Sequence, residues 1–113
     1  MDEKTLRLII DALPFPVVFV DSDHIIQFLN KRAKFHYYDE RGYRDLVGKS
    51  IFACHNEKSK EKMLKIVESL KNHGREVFLT VSGKNDRVYI TPVRDDDGKF
   101  IGYFERFEGN FQK

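Results

Sequence analysis

Apolar residues recur along the chain in two rhythms, the spacing of a helix face and the two-residue period of a strand, and their order predicts the architecture. Leu6, Ile9, Ile10 and Leu13 share one helical face, and Pro14 and Pro16 end that helix. A helix this short is marginal alone, so its stripe must cover an open face of the domain or meet the same helix of a second chain. Val17-Val18-Phe19-Val20 and His24-Ile25-Ile26-Gln27-Phe28-Leu29 read as strands, joined by Asp21-Ser22-Asp23, whose short polar side chains favour a tight turn. Asn30 then stands where an N-cap is needed for a short helix over Lys31–Phe35. The polar and aromatic stretch from Tyr37 to Gly48 reads as helical turns and loop.

Helical spacing returns from Asn56 or Glu57 to about Asn72, with Met63, Ile66, Val67 and Leu70 on one face and His73-Gly74 as the stop. Three strands follow. Val77, Leu79 and Val81 alternate with Glu76, Phe78, Thr80 and Ser82, Gly83-Lys84-Asn85-Asp86 turns the chain, Arg87–Arg94 returns, and Asp95-Asp96-Asp97-Gly98 turns it into Phe100–Phe107. A helix, two strands, a helical middle and a three-strand meander predict an α+β fold: one antiparallel five-stranded sheet with helices packed on one face, preceded by an N-terminal amphipathic helix.

Composition narrows the function classes. At 113 residues the chain has room for one domain, and 20 basic against 18 acidic side chains are mixed rather than segregated. Such a distribution gives no field suited to nucleic acid. The basic run from Lys58 to Lys65 is interleaved with acids at helical spacing and reads as a solvated helix face. No apolar run is long enough to cross a bilayer, and Met1-Asp2-Glu3-Lys4 does not begin a signal peptide, so a cytoplasmic location without membrane partners is expected. One cysteine excludes an internal disulfide and suits a reducing compartment.

That cysteine lies beside a histidine, in Val47-Gly48-Lys49-Ser50-Ile51-Phe52-Ala53-Cys54-His55, just ahead of the long helix. On an extended backbone the two side chains point to opposite faces, and the pair is two ligands short of a structural zinc site, so no metal site is expected. A thiol nucleophile needs a base within reach and a third group to orient it, which sequence neighbours seldom provide. No phosphate-binding glycine loop is present, and no enzyme activity is expected. Cys54 reads as a small buried hydrophobe, with His55 at the helix start.

The order of elements, together with Leu13-Pro14-Phe15-Pro16-Val17, Asn30-x-x-Ala33, Gly42-Tyr43-x-x-x-Leu46-Val47-Gly48-Lys49-Ser50 and Asp97-Gly98-Lys99-Phe100-Ile101-Gly102, resembles a PAS domain over nearly the whole chain. The resemblance implies a single PAS domain over residues 1–113, with the N-terminal helix in 1–13 and the core in 14–109. Gly48, Lys49, Cys54, His55, Lys58 and Ser59 are further similar to PAS domains attached to bacterial hemerythrin-like proteins, although Asn56-Glu57 replace the two prolines of that pattern.

A PAS resemblance implies a sensor or signalling domain whose cavity holds a small-molecule ligand or cofactor, and which signals through homodimerisation or a separate partner protein. A ligand-free interaction module is the alternative, and a haem-binding gas or redox sensor is another, since one imidazole in an apolar cavity suffices for haem. The candidate haem ligands are His55, His73 and His36; His24, in a turn, is the least suited. Cys54 joins them as a cavity contact, with Phe52, Met63, Val67, Phe28, Phe78 and Ile90 as apolar wall beside Val18, Val20, Phe35 and Phe104. The cysteine motif of flavin-binding light sensors is missing.

Overall fold

The computed structural model describes residues 1–54, 57–72, 74–82 and 85–109, with the side chain of Cys54 outside that description. His55, His73 and the Gly83-Lys84 half of one predicted turn therefore lie outside the described residues.

The first helix is α1 (Glu3–Asp11), started by Asp2, whose carboxylate accepts the Thr5 amide at 2.8 Å. β1 (Val17–Asp21) and β2 (Ile26–Leu29) make the hairpin. Asp21 closes its turn by accepting the amides of Asp23 and Ile25 through Oδ1, at 2.9 and 3.0 Å. His24 lies within that turn at φ 65°, so β2 starts later than the apolar run.

Lys31–Lys34 forms α2, and the chain then widens into a π-helix over Phe35–Glu40. A 3-10 turn occupies Ile51–Cys54, where the sequence argument had assumed extended backbone. α3 (Glu57–Asn72) and the strands β3 (Val77–Val81), β4 (Asp86–Arg94) and β5 (Phe100–Gly109) complete the order.

All neighbouring strands pair antiparallel in the order β2-β1-β5-β4-β3, so the last strand is the middle of the sheet. Val18, Val20, Leu79, Val88, Ile90 and Tyr103 form its inner face and pack with Ala33, Tyr37, Met63, Val67 and Leu70 of the helical layer in one apolar cluster. Arg94 anchors the far end of α3, its guanidinium donating to the Leu70 carbonyl at 2.5 Å, where a helix terminus favours a cation.

Two register shifts redirect side chains that strict alternation places elsewhere. Between Phe19 and Val20 the pairing skips Gln27, so Leu29 joins Ile26 inside and Phe28 goes to the outer face. A second shift between Phe78 and Thr80 leaves Val81 exposed, against the predicted inward position. Phe35 and Phe78 are about half exposed, and Phe104 faces outward, opposite Phe19.

Two local devices hold the layers together. Asn30, fully buried, accepts the amides of Val17 and Ala33 through Oδ1, both at 2.9 Å, and donates from Nδ2 to the carbonyls of Ile10 and Phe15 at 3.0 and 3.1 Å. The predicted helix cap thus also fixes α1 and β1. At the β2 edge the Gly48 amide donates to Ile26 O and the Ile26 amide to Lys49 O, both at 2.8 Å, so the loop covers that edge strand.

Candidate functional site

The inner face of the sheet is not filled at one end. Between the π-helix, the first turns of α3 and strands β3 to β5 lies an open cleft of about 610 Å³, within the size range of small-molecule sites. Leu79, Val88 and Phe107 give it apolar floor, and Tyr37 adds an aromatic wall. Glu105 of β5 is set among them, only 2% exposed and opposite Val18 and Ile90 in the ladders. Arg41, Lys58 and Lys62 stand at the solvent side of the same cleft, with Ser59, Thr80 and Ser82 as further polar lining.

Two of the cationic groups, those of Arg41 and Lys62, are positioned by the fold. The Arg41 guanidinium lies over the rings of Tyr37 and Tyr43, at 5.5 and 5.1 Å from their centroids. The Lys62 ammonium donates to the Leu79 carbonyl and so bridges α3 to β3. His36 Nδ1 is 3.4 Å from Glu40 Oε1, and its ring packs against Tyr37 and Phe107 at 4.8 and 5.4 Å.

A second polar pair lies at the hairpin end of the core. His24 Nδ1 is 2.9 Å from the Tyr103 hydroxyl, and the His24 ring meets Phe52 at 5.1 Å. Burial pushes the Tyr103 phenol well above its ordinary range, with the charges of Glu105 and Asp21 adding to it. Burial, aided by the charge of Lys71, holds the His24 imidazole below its ordinary range, against the opposing pull of Asp21 and Asp23. Protonation of His24 is therefore favoured in the unfolded chain. Its contribution to stability is complete above about pH 6.5, the ordinary imidazole value, and is lost as the pH falls toward the depressed folded value. Thermal midpoints should decline from pH 6.5 to 5.5 in the native chain. They should decline less in His24→Asn, which tolerates the left-handed backbone; equal slopes would remove His24 from the account.

The outer face carries different chemistry. Ile10 and Leu13 from the N-terminal segment, with Val17, Phe19, Phe28 and Phe104, line an apolar groove of about 340 Å³ that ends at Arg106. Arg106 pairs with Glu76 at 2.6 Å and with Glu108 at 3.0 Å, and lies over Tyr89 at 4.4 Å. That pairing holds the Glu76 carboxyl below the usual range and raises Arg106 further.

Of the residues the sequence put forward as cofactor contacts, His36 lines the cleft. Met63, Val67 and Ile90 are fully buried core, and Phe52 sits beside His24. Phe28 belongs to the outer groove, and Phe78 stacks edge-on against Tyr89 at 5.8 Å, so neither borders the cleft. His55, His73 and the Cys54 side chain lie outside the described residues. Sequence reasoning missed Glu105, Arg41, Lys58 and Lys62. Glu105 had a signal: it is the one acid at an inward position of β5, between Tyr103 and Phe107. Among the described residues no three His, Cys, Asp or Glu side chains gather as a metal site, and no helix is long and apolar enough to cross a membrane.

A family model described as a PAS domain matches residues 6–108. Among solved structures, a C-terminal domain from Streptococcus mutans superimposes with a TM-score of 0.80 at 27% identity, covering 96% of this chain and 85% of that one. A sensory box sensor histidine kinase from Vibrio cholerae gives 0.64 at 16% identity, covering 96% and 92%. The Aer2 receptor from Vibrio cholerae, described as a dual PAS-heme oxygen sensor, gives 0.59 at 22% identity, covering 83% and 92%. No curated protein sequence matches the chain.

Proposed function

The chain belongs to the PAS domain family, whose model matches it from residue 6 to residue 108, and from that premise we propose that it is a cytoplasmic, non-enzymatic sensor domain. A small organic molecule enters the cleft over the inner face of the sheet. Its presence is relayed to α1, and through α1 to a second copy of the chain or to a partner protein.

The observation that carries this reading is the position of β5. It is the middle strand, its inward Glu105 and Phe107 line the cleft, and its outward Phe104 and Arg106 line the groove that Ile10 and Leu13 enter. One strand therefore separates the ligand from the element that would report it. A ligand shifts such a system only by binding one arrangement of β5 and α1 better than another. Leu6 and Ile9, which are 48% and 51% exposed, leave an apolar stripe on α1 for the second copy.

Haem, the group named for the Aer2 receptor, fits these residues poorly. A buried carboxyl, that of Glu105, would lie against the macrocycle, and the His36 ring is engaged by Glu40, Tyr37 and Phe107.

The test joins light scattering with thermal denaturation in the presence of a panel of small metabolites. A dimer at high micromolar concentration is expected, with at least one panel member raising the midpoint. A monomer overturns the role given to α1. A panel without any stabilising member overturns the sensor reading.

A further inference from the structure

The charge layout of the cleft says which chemical class it admits. We infer, building on the sensor reading above, that the ligand is a small organic acid bearing a hydrogen-bond donor, a hydroxyl or an ammonium, away from its acid group. The acid end stays at the mouth with Arg41, Lys58 and Lys62, and the donor end reaches Glu105 on the floor.

Among the described residues, three basic side chains against one acid make the lining attractive to an anion, and their placement adds direction. The basic residues are exposed at the mouth, while Glu105 is buried at the centre of the sheet. Stacking over two tyrosines holds Arg41, and the Leu79 carbonyl holds Lys62, so two of the three cations keep their places before any ligand arrives. Preorganised charge of this kind favours binding because less side-chain freedom is lost. At the floor, the buried Glu105 presents a carboxyl group, whose two oxygens can accept several hydrogen bonds, and a hydrocarbon end would offer it none. A hydroxyl or ammonium offers one. Leu79, Val88 and Phe107 leave room between the two ends for an apolar body.

The experiment uses matched probes in titration calorimetry on the intact chain: a set of small hydroxy acids and amino acids, the same skeletons as primary amides, and the same acids without the hydroxyl or amino group. The acids with a donor are expected to bind about tenfold or more tightly than either reduced partner, the scale of one charge-assisted hydrogen bond. Lys62→Met and Arg41→Met should each weaken the acids and leave the amides unchanged. Glu105→Met, which keeps the length of the side chain and removes its acceptor oxygens, should remove the preference for the donor-bearing acid over its reduced form. Circular dichroism of each variant checks folding, and the two exposed basic sites provide variants independent of Glu105. Binding led by neutral or cationic probes, or acid affinity indifferent to Lys62→Met and Arg41→Met, overturns the ligand class while leaving a sensor in place. A chain that binds no probe of any kind overturns the sensor reading, and this inference with it.

Discussion

Replacing Asn30 with alanine is expected to remove about 3–4 kcal/mol of stability, a large share of what a domain of this size possesses. The side chain makes four hydrogen bonds, to Val17, Ala33, Ile10 and Phe15. The cap on Ala33 alone is worth about 1 kcal/mol, and each of the others adds a net amount of about the same size, more where the orphaned partner stays buried. Urea denaturation should show the midpoint falling with the slope unchanged. Asn30→Asp sharpens the test, because a carboxylate keeps both acceptor bonds but opposes the Ile10 and Phe15 carbonyls where Nδ2 donated. That variant should be weak at neutral pH and recover in acid, when a protonated carboxyl can donate once more. A loss under about 1 kcal/mol in the alanine variant would show that the four bonds are replaced by water.

Gly102→Ala is expected to be about as damaging, at about 3 kcal/mol, the upper end of ordinary overpacking. A Cβ there would come within 2.3 Å of the Val20 carbonyl oxygen and 3.0 Å of Asp21 Cα, both backbone atoms of the strand paired with β5. Neither can yield without opening the central ladder of the sheet. Gly98→Ala supplies the control. At Gly98 φ is +83° and an added Cβ meets nothing within 4 Å, so only backbone strain of about 1 kcal/mol is expected. Equal losses in the two variants, read from denaturation midpoints, would mean that the close approach at Gly102 relaxes.

These two sites also mark where the sequence was readable. Asn30 carries a local signal, since a cap is recognised from the residues beside it, and the hairpin turns at Asp21 and Asp95 are of the same kind. The long helix was equally legible: Met63, Val67 and Leu70 are buried at the predicted spacing. Gly102 is constrained by a strand about eighty positions away, and nothing local to it reports the contact. The strand order has the same origin, because β5 enters between β1 and β4 through pairings set by the whole chain. Phe28 was placed on the wrong face because one skipped residue at Gln27 inverts the alternation. The π-helix escaped notice for a related reason: its widened turn follows no common period, although it sets His36, Tyr37 and Arg41 beside α3. The cleft needed all of these at once, and only Glu105 announced it from within its own strand.

The loop that pairs with β2 makes the sheet one-sided in its capacity to grow. With Gly48 and Lys49 bonded to Ile26, that border offers little to an incoming strand, whereas β3 ends the sheet at the other side and carries the exposed Phe78 and Val81. Any misassembly by strand addition, under stress or at high concentration, would start from β3 and extend away from it, leaving the β2 side of the sheet untouched.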